Sequence, residues 1–185
     1  GMPVGPFGMQ DIAGSEVGWR IRQFLKSIGK TRAEGPQSEV PDRLYEMGRY
    51  GQKTGAGWYK YEKGSRDRIH DPLVDDIAAQ EAAKRGIQRR TIADEEIIAR
   101  IMTALANEGA RILEEGYATR ASDIDAVYCY GFGYPRHVGG PMFYADSVGL
   151  PKILERVKEY RAQFGDYWKP APLLERLAAE QKTFN

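Results

Sequence analysis

The sequence predicts an all-α protein built from a repeated helical unit, and three observations carry that prediction. Apolar residues recur at three- and four-residue steps in segment after segment, the period of a helix with one buried face. No alternating run is long enough for a sheet. One frame also occurs twice, as Gly5-Pro6-Phe7-Gly8-Met9-Gln10-Asp11-Ile12-Ala13-Gly14 and again from Gly140-Pro141 through Asp146 to Gly149. Gly5 matches Gly140, Pro6 matches Pro141, Asp11 matches Asp146 and Gly14 matches Gly149. Upstream, Gly1 and Pro3 match Gly133 and Pro135 once an insertion is allowed in the second copy. Each frame runs into an amphipathic stretch, so the chain reads as an internal duplication.

The frame has a physical reading. Pro suits the first position of a helix, where its missing N–H would be unpaired anyway. A short apolar helix follows, and Gly14 or Gly149 permits a sharp turn into a longer one. Asp11 and Asp146 are expected to accept backbone N–H groups at that turn. One reaction needs one site, whereas a packing unit needs its device twice. Asp11, Gly14, Gly140, Pro141, Asp146 and Gly149 are therefore read as structural.

The remaining elements follow in order. Val17, Ile21, Phe24, Leu25 and Ile28 form one apolar face of a helix that Ser15 caps and Gly29 stops. Residues 31–40 are polar around Gly35-Pro36, a loop. Pro41 to Met47 reads as a short helix, 48–57 as an irregular glycine-rich stretch, and Trp58 to Tyr61 as an extended piece. Glu62 to His70 is charged and unpatterned, a linker between copies. Asp71-Pro72 opens a helix with Leu73, Val74 and Ile77 inward and Gly86 as its stop. Ala93 to Glu115 is the longest helix. Ile97, Ile98, Ile101, Met102, Leu105, Ile112 and Leu113 give it a wide apolar face. Ser122 with Asp125 suggests a capping box opening a helix to about Tyr130. Pro151 opens a helix with Ile153, Leu154, Val157 and Tyr160 inward, and Pro172 a last one with Leu173, Leu174 and Leu177 inward. The expected division is 1–61 for a first, truncated copy, 62–70 for the linker and 71–185 for the second copy.

Composition sets outer bounds. A chain of 185 residues hides roughly 70% of its unfolded surface, enough for a sizeable core. Lys and Arg number 27 against 26 Asp and Glu, a net charge of +1. The whole molecule is no electrostatic magnet for nucleic acid. Mean hydropathy is −0.56, and no apolar run approaches the roughly 18 residues of a membrane span. The single Cys129 has no internal disulfide partner, which fits a reducing, cytoplasmic compartment. The chain opens inside a motif, as expected of an excised piece of a longer protein, with Gly1 either native or a tag remnant.

Chemistry-bearing patterns are sparse. Gly131-Phe132-Gly133 begins like a dinucleotide-binding loop, but Arg136 stands where the third glycine belongs and no strand precedes it. Gly48 to Thr54 has its glycines three apart instead of the phosphate loop's five. His70, His137 and Cys129 show no zinc-ligand spacing. Lys84 to Arg90 is a basic run of the kind that usually forms a solvated surface. Phe132, Tyr134, Phe143 and Tyr144 are candidates for an acyl channel or for core.

The motifs taken jointly resemble one family. Gly1-Met2-Pro3-Val4-Gly5-Pro6-Phe7 with Asp11 and Gly14 is similar to the C-terminal domain of 3-hydroxyacyl-CoA dehydrogenases. So are Asn107-Glu108 with Ile112 to Gly116, and Asp123-Ile124-Asp125. Gly51 to Tyr59 resembles the segment that closes the first copy of that domain. Tandem copies resemble the multifunctional fatty-acid β-oxidation enzymes, which fuse an enoyl-CoA hydratase to the dehydrogenase. The resemblance implies an all-α fold like the 6-phosphogluconate dehydrogenase C-terminal domain. It implies a parent that uses NAD and acyl-CoA, with the catalytic histidine and glutamate on a nucleotide-binding domain this chain lacks. No catalytic residue, metal or bound cofactor is then expected in the chain itself. Asn107 is structural in this reading, and Met2, Pro3, Gly5, Pro6 and Phe7 would form part of the substrate wall. The partners expected are the missing nucleotide domain and acyl-CoA, with no nucleic acid and no membrane span. The alternative is a non-catalytic helical interaction module.

Overall fold

The computed structural model describes residues 4–30 and 38–185. Met2 and Pro3, and most of the expected loop around Gly35-Pro36, lie outside the described residues. Among the described residues the secondary structure is nine α-helices, three short 3-10 turns and isolated β-bridges, with no strand. The all-α expectation holds. The chain divides into two compact units, Val4–Thr91 and Ile92–Asn185 among the described residues.

The Val4–Thr91 unit starts with α1, Pro6–Ala13, and α2, Ser15–Ser27, which meet at Gly14. Helix α3, Val40–Glu46, lies against α2, where Trp19 stacks on Tyr45 with centroids 4.2 Å apart and Arg22 Nε donates to Asp42 at 2.8 Å. A 3-10 turn at Gln52–Thr54 precedes the extended piece Trp58–Tyr61. The expected linker is not loose. Lys60 and Ile69 exchange both backbone hydrogen bonds, at 2.9 and 3.0 Å, closing the charged segment into a loop. Helix α4, Pro72–Lys84, is capped by Asp71, whose side chain accepts from Leu73 N. It packs Ile77, with Val74 behind, against Val40, Leu44 and Trp58. Packing thus groups α4 with the first unit, although the repeat pattern places 71–185 together. Leu73, expected inward, is half-exposed, because α4 covers α3 with one narrow side only.

The Ile92–Asn185 unit is organised on α5, Asp94–Glu114, the longest helix. Helices α6 (Ala121–Gly131), α7 (Pro141–Val148), α8 (Leu150–Phe164) and α9 (Pro172–Ala179) follow. The core joins Ala106 and Ala110 of α5 to Ala145, Leu150, Ile153, Val157 and Leu174. The face of α5 that is most buried is therefore its small-residue face. Gly109 explains why. A Cβ there would sit 2.3 Å from Met142 Sδ, so a larger residue would have to displace the buried Met142 side chain of α7. Ile97, Ile98 and Ile101, expected inward, are 43–55% exposed.

Candidate functional site

The duplicated frame keeps its geometry. Helices α1 and α7 are both eight residues long with Pro in the first turn. The glycines that follow adopt nearly the same backbone, φ 93°, ψ 127° at Gly14 and φ 93°, ψ 125° at Gly149. These positive φ values lie where side chains are strained, so the frame needs glycine at both places.

The conserved geometry serves a carboxylate clamp, but its partners are not at the turn. Asp11 is 1% exposed. Its Oδ1 accepts from Trp58 N at 2.8 Å and its Oδ2 from Tyr59 N at 3.0 Å and Tyr61 Oη at 2.8 Å. Asp146 does the same in the second unit, with Phe184 N at 2.8 Å, Asn185 N at 3.2 Å and Asn185 Nδ2 at 3.0 Å. Each Asp therefore grips the segment that closes its own copy. The expected turn N–H groups are met otherwise, Gly14 N by Gln10 O and Gly149 N by Ala145 O. Ionised carboxylates facing backbone donors make strong hydrogen bonds. Burial, and then the bond to Asp11, hold the Tyr61 hydroxyl proton far above the usual tyrosine range. A Cβ on Gly57 would lie 2.0 Å from Asp11 Oδ1, and one on Gly51 2.2 Å from the Asp11 carbonyl oxygen. The glycine-rich stretch 51–57 is thus shaped to bring the chain up to Asp11.

Around this clamp lies a second polar set. Ser15 Oγ donates to Arg49 O, and Arg49 Nε donates to Gly57 O at 2.9 Å. The Arg49 guanidinium pairs with buried Asp71 at 2.7 Å and Lys60 pairs with it at 3.2 Å. Burial alone would raise the Asp71 carboxyl, but Lys60, Leu73 N and Arg49 outweigh it and hold it below the usual carboxylate range.

Asp125 was misassigned by its spacing. The box at the start of α6 is made by Asp123, whose Oδ2 accepts from Arg120 N at 3.0 Å. Asp125 instead caps α7, accepting from Met142 N at 2.7 Å and Phe143 N at 3.1 Å. Burial pushes its carboxyl above the usual range against those two donors. Gly140, with φ 102°, is needed because a Cβ there would strike Asp125 Oδ1 at 2.3 Å. Asn107 is structural as read: its Nδ2 donates to Lys169 O and its Oδ1 accepts from Ala171 N, anchoring the start of α9.

Of the residues expected at a substrate wall, Gly5 caps α1 and Pro6 opens it. Phe7 is half-exposed and leans on Trp58, centroids 4.3 Å apart. Phe132 and Tyr134 line a cavity of about 190 Å³ with Ile98, Ile101 and Leu105. Phe143 points elsewhere, exposed, and Tyr144 packs on the core. No cluster of His, Cys, Asp or Glu among the described residues has metal-binding geometry.

Comparison with known proteins decides the family. The family described as 3-hydroxyacyl-CoA dehydrogenase, C-terminal domain, matches residues 1–61 and again 97–184. This chain belongs to that family. Its two matched segments each contain one clamp Asp with Trp58–Tyr61 or Phe184, and leave α4 outside both. The peroxisomal bifunctional enzymes of Danio rerio and Homo sapiens are 43% and 42% identical to it over 97% of its length. An alpha subunit of the fatty acid oxidation complex from Pseudomonas savastanoi is 32% identical over all of it. The chain spans about a quarter of these relatives, 27%, 27% and 25% of their lengths. Among solved structures, the dehydrogenase part of multifunctional enzyme 1 from C. elegans aligns with TM-score 0.65 at 27% identity. That alignment covers 93% of this chain and 38% of the other. The 3-hydroxybutyryl-CoA dehydrogenase of Escherichia coli shares the fold, with TM-score 0.65 at 19% identity over 98% of this chain and 52% of its own.

Proposed function

We propose that this dehydrogenase C-terminal region is the non-catalytic helical part of a longer enzyme. That enzyme oxidises L-3-hydroxyacyl-CoA to 3-ketoacyl-CoA with NAD and carries an enoyl-CoA hydratase half. The observation that carries this is the double family match over residues 1–61 and 97–184, together with 42–43% identity to bifunctional enzymes. The repeat division 1–61, 62–70 and 71–185 is part of the proposal, with α4, the opening helix of 71–185, packed on α3 of the first copy.

The residues present do not fit NAD. The described part offers no parallel sheet and no glycine-rich strand-to-helix turn of the kind that cradles a pyrophosphate. The nicotinamide and the proton-abstracting pair therefore belong to the nucleotide-binding domain that the family resemblance implies. The role left to this chain is to hold Pro6 and Phe7, and by the same motif Met2, Pro3 and Gly5, as one wall of the acyl-CoA cleft. The Asp11 clamp fixes that wall by tying α1 to Trp58, the ring on which Phe7 rests. The peroxisomal naming of the relatives favours a peroxisome over the cytoplasm for this chain too. No helix among the described residues is long and apolar enough to cross a membrane.

The test is turnover. The full-length protein should form NADH from an L-3-hydroxyacyl-CoA, and residues 1–185 alone should not. Phe7→Ala at full length should raise KM for the acyl-CoA with kcat nearly kept. NADH formation by the isolated chain, or no dehydrogenase activity in the full-length protein, overturns the reading and leaves the helical interaction module.

A further inference from the structure

The peptide that joins Gly57 to Trp58 is held at both of its polar atoms. Its N–H donates to Asp11 Oδ1 at 2.8 Å, and its carbonyl oxygen accepts from Arg49 Nε at 2.9 Å. A peptide unit is planar, so those two bonds fix the direction in which Trp58 leaves it. The Trp58 indole donates through Nε1 to Gln10 Oε1 at 2.9 Å and lies against Phe7 with centroids 4.3 Å apart. Arg49 is 8% exposed and meets Asp71, 2% exposed, at 2.7 Å. Neither atom of that contact, Arg49 Nη2 or Asp71 Oδ2, has another partner among the described residues. The second copy shows only half of this device. Phe184 N donates to Asp146 as Trp58 N does to Asp11. The residue before it, Thr183, is exposed, and among the described residues no side chain holds its carbonyl. The Asp clamp is repeated and serves packing. The Arg49–Asp71 pair belongs to the copy that carries Phe7.

We infer that Asp71 is a positioning residue for acyl-CoA binding: it keeps Arg49 on the Gly57 carbonyl and, through Trp58, sets the face that Phe7 presents to the substrate. This rests on the proposal that Phe7 forms part of the substrate wall. A buried guanidinium that loses its carboxylate is left as an uncompensated charge. Arg49 then turns toward water and releases the Gly57 carbonyl, and the Gly57–Trp58 peptide keeps only its bond to Asp11. Trp58 is freer to tilt, and Phe7 loses the fixed ring on which it rests. Asp71 stands at the N-cap of α4, outside both segments that match the family. The wall on the first copy thus takes its setting from a residue beyond that copy.

Kinetics of the full-length protein with an L-3-hydroxyacyl-CoA test this, assayed well below the melting temperature of every variant. Asp71→Asn keeps the shape of the side chain and removes its charge. It should raise KM about fivefold with kcat within about twofold, the signature of lost binding with the chemistry intact. In a Phe7→Ala background, which already lacks the ring, Asp71→Asn should add less than about twofold, because the two residues act as one unit. A general loosening of the fold would multiply the two effects instead. Arg49→Lys, whose ammonium cannot reach Gly57 O and Asp71 together, should behave like Asp71→Asn and serves if that variant does not fold. Hydrogen exchange reads the same device without turnover. In Asp71→Asn the Trp58 and Tyr59 amides should exchange about tenfold faster while those of α3 keep their rates. An unchanged KM in Asp71→Asn, where Phe7→Ala raises KM, overturns the inference and keeps the wall. Multiplied effects, or equal acceleration of Trp58 and α3 amides, also overturn it and make the pair a plain stabiliser. An unchanged KM in Phe7→Ala brings down the wall and the inference together.

Discussion

Replacing Asp11 by alanine takes the acceptor away from Trp58 N, Tyr59 N and Tyr61 Oη at once. The site is closed to solvent, with Asp11 1% and Tyr61 8% exposed, so water does not replace the carboxylate. Each unmet buried donor costs about 1–3 kcal/mol. Two orphaned backbone groups and a hydroxyl, counted with the overlap expected of bonds to a single group, come to about 3–5 kcal/mol. That is a large share of the roughly 5–15 kcal/mol that holds a domain folded. Asp11→Asn keeps one acceptor oxygen but turns an amide N–H toward Tyr59 N–H, for a loss of about 2 kcal/mol. Asp146→Ala should cost only about 1–2 kcal/mol, because Asp146 is half-buried and water reaches its donors. Urea unfolding followed by tryptophan emission in a Trp168→Phe background isolates the first unit, which holds Trp19 and Trp58, and Asp146→Ala is read in the second unit at Trp168. An Asp11→Ala loss within about 0.5 kcal/mol of the parent, the range of ordinary surface changes, would refute the clamp. So would a larger loss at Asp146 than at Asp11.

Gly57→Ala drives a methyl to 2.0 Å from Asp11 Oδ1 and should destabilise the first unit by about 3 kcal/mol or more, read in the same urea assay. Asp71 has a depressed folded-state value, so its stabilisation is complete above the unfolded value of 3.8 and is lost as pH falls through the lower folded one. Asp71→Asn should therefore lower melting at pH 7 and flatten the acid limb below pH 3.8, tracked by melting temperature against pH. Asn107→Ala removes both bonds that seat Lys169 and Ala171 and should cost about 2 kcal/mol in the Ile92–Asn185 unit, measured by urea unfolding at Trp168.

The frame residues were legible because they sit at fixed intervals in one short stretch. Helix position, the Pro starts and the need for Gly14 and Gly149 all follow from local rules. What Asp11 holds was not legible, since its partners lie 47 to 50 residues away and no local rule reaches them. Asp125 failed for the same reason: a partner three residues off was proposed, and the true one comes 17 residues later on another helix. Periodicity showed that α2 and α5 are amphipathic but not which side meets a neighbour. On α5 the close contact runs through Ala106, Gly109 and Ala110, residues whose value is their smallness and which no hydrophobicity pattern highlights. The full substrate wall was approached only through resemblance, and part of it, Met2 and Pro3, lies outside the described residues.

Each Asp fastens the first helix of its frame to the last segment of the same copy, Asp11 to Trp58–Tyr61 and Asp146 to Phe184–Asn185. In the first frame the exit is thereby pinned beside the short helix α1, so the chain that follows leaves from a fixed point. Just after that exit, the Lys60–Ile69 pairing closes a short charged loop at its base by two backbone hydrogen bonds. The Asp11 carboxylate that holds this tail thus also sets where the next stretch of chain sets out.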